Sequence, residues 1–194
     1  EVFLFWSKKG IDGFRCDAGY MVPANAWKYI TSKVRKEYPE TVFLLEGLGG
    51  KIKTTEKLLT DSNLNWAYSE MFQNYNQGEL EWYMEQFSAI SFNKGPLINF
   101  SETHDNNRLA SISKEYSRLR NGLTALLSDT GAFAITCGVE WFADEKIDVH
   151  RITSMKWGNS DNQLQLINRL NNILNIHPGF KPGTTLRKMH TSAC

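Results

Sequence analysis

The sequence predicts a parallel α/β fold, because short apolar runs alternate with longer stretches of helical periodicity along most of the chain. The apolar runs end near residues 17, 46, 69, 102 and 137. This spacing of roughly 25 to 35 residues is the length of one strand-plus-helix unit. Strict alternation of this kind is typical of a parallel sheet covered by helices. About five such units fit the C-terminal part of a (β/α)₈ barrel whose first strands are missing from the sequence.

The N-terminal elements follow from local patterns. A glycine turn precedes the first predicted strand, residues 12–17. Apolar residues then recur at helical spacing between Pro23, which suits a first helical turn, and Pro39, which ends the helix. Residues 42–45 are a continuous apolar run, as expected of a parallel strand that is buried on both faces.

The later elements repeat this order with weaker signals. We predict further strands at 64–68, 97–100 and 132–136, and helices at 54–60, 79–90, 114–128 and 162–176. The third of these helices is expected to turn its apolar residues inward, namely Tyr116, Leu119, Leu123 and Leu126. Residues 139–162 have no clear period and are predicted to form a long loop. The whole chain, 1–194, is expected to be a partial barrel domain with no second domain. A doubly wound open sheet is the competing fold, but no glycine-rich phosphate-binding sequence follows a predicted strand.

The charge balance and the cysteine content indicate which kinds of binding partner the chain favours. The 22 basic and 21 acidic residues nearly cancel and form no run of like charge. This balance favours neither nucleic acid nor a membrane surface, and a neutral substrate fits it best. Three scattered cysteines, Cys16, Cys137 and Cys194, match neither a disulfide framework nor a zinc motif. They slightly favour a cytoplasmic location, but the compartment stays open.

Acidic residues stand where the predicted strands end. In a barrel the carboxyl ends of all strands open on one face, so Asp17, Glu46 and Asp105 are expected to converge there. A pair of carboxylates in such a pocket suits the retaining glycosidase mechanism, in which one is the nucleophile and the other the acid/base. Arg15 shares a strand face with Asp17 and is expected to orient it by a charge-assisted hydrogen bond.

Three segments together resemble the α-amylase family of retaining glycoside hydrolases and glucanotransferases. They are GFRCD at the first predicted strand, FLLEG at the second and THDN after the fourth. The resemblance implies that Asp17 is the nucleophile, Glu46 the general acid/base and Asp105 the stabiliser of the transition state. It also implies that Arg15 and His104 support the substrate site. The segment GVEW, which ends in Trp141, resembles a weaker motif after the last barrel strand, so the resemblance runs from about strand four to strand eight.

Departures from the family pattern bear on specificity. Tyr20 and Met21 stand where the family often has Lys-His beside the acceptor sugar. The family's earlier motif on strand three would precede residue 1, and with it part of the usual calcium site. The resemblance therefore implies no cofactor for the chemistry, no metal site in this chain, and a structural calcium ion possible in the full protein. Aromatic residues are candidates for sugar platforms or for core packing: Tyr20, Trp66, Phe72, Trp141 and Trp157.

Several functions stay open on the sequence. Hydrolysis of α-linked glucans is the first expectation, and 4-α-glucanotransfer or another transglycosylation is the alternative. A metal-dependent barrel, with Asp17, Glu46 and Asp105 as ligands, is an enzyme of another class. The third possibility is a non-catalytic carbohydrate-binding fragment. A partial barrel cannot close and leaves a strand edge unpaired, which favours loss of activity. We therefore expect activity to need the missing N-terminal half of the barrel.

Overall fold

The structure is a computed structural model that describes residues 1–181, 184 and 189. The chain divides into two compact units, residues 1–98 and residues 99–194. No helix in the described part of the chain is long and apolar enough to cross a membrane.

The first unit alternates helices and parallel strands. Its helices are α1 (Val2–Lys8), α2 (Ala24–Glu37), α3 (Ile52–Asp61) and α4 (Gln77–Asn93). Its strands are β1 (Gly13–Cys16), β2 (Val42–Leu45), β3 (Trp66–Tyr68) and the first two residues of β4 (Leu97–Asn99). The strands pair in sequence order and all pairs are parallel, with Cys16 opposite Leu45 and Tyr68 opposite Ile98. This order confirms the predicted parallel α/β class.

The core of the first unit includes one face of β2. Phe43 and Leu45 are fully buried, and Ala67 beside them on β3 is also fully buried. Trp27 and Val34 on α2 are buried as well, which matches the helical spacing in the sequence. Phe43 and Leu45 lie on one face of β2, whereas Val42 and Leu44 on the other face are only partly buried, so the predicted full burial holds for one face.

The second unit has a more polar interior. Its elements are α5 (Lys114–Leu126), β5 (Ala132–Phe133) and α6 (Leu164–Ile176). The carbonyl oxygen of Asn99, the last residue of β4, accepts a hydrogen bond from the backbone N–H of Ala134 at 2.8 Å. The amide of Asn99 donates to the Ser128 hydroxyl at 3.0 Å, and the Ser101 hydroxyl donates to the Asn121 side chain at 2.5 Å. Polar side chains therefore fill part of the space that the sequence pattern assigned to apolar ones.

The predicted inward face of α5 is wrong. Leu119 and Leu126 are exposed, whereas the buried residues of the helix are Ser117, Arg120, Asn121, Thr124 and Ala125. The helix buries its polar side because those side chains find hydrogen-bond partners inside the unit, as Asn121 does with Ser101. Helical periodicity of apolar residues cannot detect this arrangement.

The other element predictions differ mainly in length. β2 has the predicted bounds. α4 extends beyond both ends of the predicted helix, and a capping box of Asn76 and Glu79 fixes its start. β5 covers only two residues of the predicted 132–136. The predicted loop 139–162 contains a short 3₁₀ helix, Val139–Trp141.

Candidate active site

Asp17 directly follows β1 and forms an ion pair with Arg15. The distance between Arg15 Nη1 and Asp17 Oδ1 is 2.5 Å, and the Asp17 side chain is 79% exposed. The Arg15 guanidinium also lies over the Tyr68 ring, 5.6 Å from its centroid. Partial burial lowers the pKa of Arg15, but the hydrogen bond to Asp17 and the influence of Tyr68 outweigh it and raise the pKa. The predicted orienting pair is therefore present, with the carboxylate open to solvent.

Glu46 directly follows β2 and is buried, with 8% exposure. Its Oε2 accepts a hydrogen bond from the backbone N–H of Ala18 at 2.8 Å, and its Oε1 accepts one from Leu48 at 2.7 Å. A carboxylate has about four acceptor positions, so two backbone bonds orient the group and leave room for a proton. Because Ala18 is the next residue after Asp17, the structure places the Glu46 carboxylate against the backbone beside Asp17.

The turn after β1 produces this arrangement. Parallel pairing of β1 and β2 places the two strand ends side by side, and Glu46 donates its backbone N–H to the Cys16 carbonyl at 3.1 Å. Ala18 then adopts a left-handed conformation with φ of 43°. This conformation costs a residue other than glycine roughly 1–2 kcal/mol. The strained residue is the one whose N–H contacts Glu46, as is common where a backbone serves a site.

Tyr20 and Met21 lie in a 3₁₀ helix, Gly19–Met21, just beyond this turn. Tyr20 is partly exposed, and its ring packs against Gly50, where an added Cβ would lie 3.2 Å from Tyr20 Cγ. Met21 is 73% exposed. Tyr20 is therefore available for the predicted substrate contact, which stays a prediction.

His104 and Asp105 lie in the second unit, in the loop after β4. His104 Nε2 is 3.4 Å from Asp105 Oδ2, and both side chains are exposed. The backbone N–H of Asp105 donates to the Thr103 hydroxyl at 3.2 Å, and Thr103 in turn hydrogen-bonds Asn106. These local bonds shape the loop around the predicted pair.

The sequence analysis included neither Glu102 nor Arg108 among the catalytic candidates. The two form a fully buried ion pair, with Arg108 Nε 2.5 Å from Glu102 Oε1. Glu102 Oε2 also accepts from the Leu109 N–H at 2.7 Å, and Arg108 Nη2 donates to the Cys137 carbonyl at 3.0 Å. Burial raises the pKa of Glu102, and the attraction of Arg108 offsets part of that rise. This pair holds the chain together just before and after the predicted His104–Asp105 pair.

Trp141 ends the 3₁₀ helix Val139–Trp141 and is partly exposed. Its carbonyl accepts a hydrogen bond from the Asn159 amide at 3.2 Å, whereas Glu140 turns back to the Gly138 N–H at 3.0 Å. Of the other aromatic candidates, Phe72 is buried in the core and Trp157 is 65% exposed.

The thiols and histidines also have definite surroundings. Cys16 is buried, which raises its pKa to about 12, and Cys137 is exposed. His150 and His177 are exposed, while His190 and Cys194 lie outside the described residues. Within the described part of the chain, no group of three or more His, Cys, Asp or Glu side chains is arranged to hold a metal ion.

Comparison with known proteins gives the wider context. No family model matches the chain. It is 25% identical, over 94% of its length, to an alpha-1,4-glucan:maltose-1-phosphate maltosyltransferase of Picrophilus torridus, and 28% identical, over 96%, to that of Rhodospirillum rubrum. An α-amylase from Lactobacillus plantarum has a similar structure, with a TM-score of 0.72, 23% identity and coverage of 91% of this chain and 46% of that one. A cyclomaltodextrinase matches with a TM-score of 0.70 and 19% identity, over 94% of this chain and 33% of that one.

The chain is thus similar in sequence to these maltosyltransferases and in fold to the α-amylase. Its fold is part of the α-amylase (β/α)₈ barrel, as the sequence predicted. The chain spans about 30% of the length of the curated relatives it matches, 30% for the Picrophilus protein and 28% for the Rhodospirillum protein.

Proposed function

We propose that the protein containing this chain cleaves α-glucosidic bonds with retention of anomeric configuration. In the first step the Asp17 carboxylate attacks the anomeric carbon while Glu46 gives its proton to the departing glycosidic oxygen. In the second step Glu46 removes a proton from water or an acceptor hydroxyl, whose oxygen displaces Asp17. Asp105 stabilises the positive charge that develops on the sugar ring in the transition state of each step.

One observation carries the proposal. The Ala18 N–H donates to Glu46 Oε2 at 2.8 Å, so the acid/base carboxylate is bound to the residue that follows the nucleophile. Two carboxylates at neighbouring strand ends are the minimum that double displacement needs. The exposed Asp17 with its Arg15 partner supports the role of an ionised nucleophile.

The substrate that we propose is a neutral α-linked glucan. The maltosyltransferases to which the chain is similar carry both glucan and maltose in their names, and the near-neutral charge of the chain fits an uncharged sugar. Partly exposed Tyr20 and Trp141 would contact sugar faces, and His104 a sugar hydroxyl. Because the chain spans about 30% of its relatives, we propose that activity also needs the rest of the barrel.

The decisive experiment follows the anomeric configuration of the first product. The full protein is incubated with a maltooligosaccharide, and proton NMR spectra are recorded before mutarotation. The α anomer is expected, because two displacements restore the starting configuration. Appearance of the β anomer would contradict a covalent role for Asp17.

Transfer of a maltosyl group is the second candidate, and the names of the sequence relatives favour it. These relatives are maltosyltransferases that use maltose 1-phosphate, and they match 94% and 96% of this chain. The same two carboxylates serve if the leaving group is phosphate and the acceptor is a glucan. Release of inorganic phosphate from α-maltose 1-phosphate only when glycogen is present would favour transfer, whereas maltose production from maltooligosaccharides alone would favour hydrolysis.

The metal-dependent alternative has its own test. If Asp17, Glu46 and Asp105 bound a catalytic cation, treatment with EDTA would abolish turnover and Mg²⁺ would restore it. The glycosidase mechanism expects turnover to survive chelation once the protein's stability has been checked in the same buffer. Sugar binding without any turnover would favour the non-catalytic alternative.

A further inference from the structure

Glu70, which no sequence pattern singled out, lies two residues after β3 and contacts the loop that follows Glu46. Its Oε1 accepts a hydrogen bond from the backbone N–H of Gly49. Gly49 belongs to residues 47–50, which we call the 47–50 turn. Glu70 is thus one of the acidic side chains at the strand ends of the first unit, but it has no role in the mechanism described above.

Glu70 is itself held in place by its surroundings. Its backbone N–H donates to the Tyr83 hydroxyl at 2.7 Å, and its carbonyl accepts from the Asn74 amide at 3.0 Å. The Ser69 hydroxyl is 3.2 Å from the same Tyr83 oxygen. Tyr83 is buried on α4, so the backbone of Glu70 is anchored to the core of the first unit.

The 47–50 turn depends on glycine and on few bonds of its own. Gly49 has a φ of 81°, and a Cβ added to Gly47 would lie 2.9 Å from Thr55 Oγ1. Within the turn, Gly50 N–H donates to the Gly47 carbonyl at 3.1 Å. Because glycine-rich backbone has many accessible conformations, an external hydrogen bond restricts the turn strongly.

The 47–50 turn also contacts the Glu46 carboxylate directly. Leu48, between the restricted Gly47 and Gly49, donates its N–H to Glu46 Oε1 at 2.7 Å. The bonds therefore form a continuous path from Tyr83 through Glu70 and the 47–50 turn to the carboxylate of Glu46. A displacement of about 1 Å at a reacting group can lower a rate by about 10²-fold, so the end of this path matters for chemistry.

We propose that Glu70 is a positioning residue, which aims the Glu46 carboxylate at the departing oxygen by fixing the 47–50 turn. This inference rests on the proposed function, in which Glu46 is the acid/base. Glu70 does not touch the substrate in this mechanism. Its effect is confined to the proton transfer that Glu46 performs.

Substrates with different leaving groups test the inference in the full protein. A maltooligosaccharide needs a proton on its departing oxygen, whereas α-maltosyl fluoride releases fluoride with little proton assistance. Glu70→Ala is expected to lower kcat/KM on the maltooligosaccharide by about 10- to 100-fold. On α-maltosyl fluoride it is expected to lower kcat/KM by less than about threefold, since nucleophilic attack by Asp17 is unchanged.

Three further variants make the result interpretable. Glu70→Gln keeps an oxygen acceptor for the Gly49 N–H and is expected to stay within about threefold of the parent on both substrates. Glu85→Ala removes the same charge from an exposed position on α4 and is expected to leave kcat/KM unchanged on both substrates. Should Glu70→Ala not fold, Tyr83→Phe removes only the hydroxyl that holds the Glu70 N–H and is expected to show the same selectivity, more weakly.

Glu46→Gln separates the inference from the proposed function. Suppose that the loss of kcat/KM in Glu46→Gln depends on the leaving group, whereas Glu70→Ala lowers kcat/KM equally on both substrates or on neither. The positioning role is then wrong and the proposed function stands. If Glu46→Gln itself shows no dependence on the leaving group, Glu46 is not the acid and the proposed function fails first. Equal losses in Glu70→Gln and Glu70→Ala would also overturn the hydrogen-bond account.

Discussion

The Arg15–Asp17 pair in the first unit and the Arg108–Glu102 pair in the second have the same chemistry but different access to water. Each places an arginine nitrogen 2.5 Å from a carboxylate oxygen. The side chains of Arg15 and Asp17 are 36% and 79% exposed, whereas those of Arg108 and Glu102 are 0% and 3% exposed. Only the first pair leaves its carboxylate able to meet a substrate.

The two pairs differ in burial and not in the kind of charged group, and this difference is our reason for proposing a catalytic role for the exposed pair and a structural role for the buried one. An exposed ion pair contributes about 0–1 kcal/mol to stability because water screens it. A buried pair has lost its hydration, so removing one partner leaves an uncompensated charge in the interior. We therefore expect substitutions in the first pair to change activity and substitutions in the second to change stability.

The largest expected effect is on catalysis, at Asp17. Asp17→Asn removes the proposed nucleophile and is expected to lower kcat of the full protein by about 10⁴-fold or more. The free energy of unfolding is expected to change by less than about 0.5 kcal/mol, as for other exposed positions. Steady-state kinetics and urea denaturation measure the two quantities.

Asp12→Asn is the matched control for this prediction. Asp12 is also exposed and lies before the other end of β1, so the same chemical change there should leave kcat unaltered. Retention of full turnover by Asp17→Asn would remove Asp17 from the mechanism.

The next largest effect is on stability, at Arg108. Arg108→Met leaves the buried Glu102 without its cation and is expected to lower the free energy of unfolding by about 3–5 kcal/mol. Urea denaturation followed by circular dichroism gives this value. The double substitution Arg108→Met with Glu102→Met is expected to recover much of the loss, because no buried charge remains.

Arg118→Met provides the comparison at an exposed position. Arg118 pairs with Glu115 and Asp161 at the surface, and its removal is expected to cost about 0–1 kcal/mol. Equal losses in Arg108→Met and Arg118→Met would show that burial does not distinguish the two kinds of pair.

A smaller effect is expected in the pH dependence of stability. Because burial raises the pKa of Glu102 in the folded protein, the folded state binds this proton more tightly than the unfolded state. The free energy of unfolding should therefore fall as pH rises from about 4.3, the ordinary Glu value, to the higher folded-state pKa, and the Glu102 contribution should be constant above it. Urea titrations at a series of pH values, compared between the parent protein and Glu102→Gln, measure this slope. A slope that is identical in both proteins would assign it to other groups.

The smallest effect concerns the chemical reactivity of the Cys16 thiol. Cys16 lies between the exposed Arg15 and Asp17, so its reactivity tests whether burial changes from one residue to the next at the end of β1. With a pKa of about 12, roughly one thiol in 10⁴ is ionised at pH 8, and the group is buried. Iodoacetamide is expected to modify the exposed Cys137 and to spare Cys16 until urea unfolds the protein. Peptide mass spectrometry of a Cys194→Ser protein separates the two sites, and rapid labelling of Cys16 would contradict the burial.

The elements of the fold were largely predictable because most of them follow periodic apolar patterns. β2 at Val42–Leu45 has the predicted bounds, and α2 lies between its two prolines as expected. α5 was placed correctly but oriented wrongly, since Asn121 is buried and Leu119 is exposed. Periodicity indicates an inward face only when the buried residues are apolar.

The candidate site was predictable in its residue types more than in its contacts. Asp17 and Glu46 stood out because acids are uncommon at the ends of apolar strands. Glu70 and Arg108 did not stand out in the sequence. Their partners include backbone groups far away along the chain, the Gly49 N–H for Glu70 and the Cys137 carbonyl for Arg108. Every residue except proline carries the same backbone donor, so a sequence does not indicate which donor a side chain will meet.

The sequence by itself determined the alternation of strands and helices and the acids at the strand ends, because both depend on local side-chain patterns. The tertiary structure decided which acid is exposed, as Asp17 is, and which is buried against a cation, as Glu102 is. It also decided that the Ala18 and Leu48 N–H groups hold Glu46. The physical reason is that burial and hydrogen bonding depend on which chain segments pack together, and local patterns carry little information about that packing.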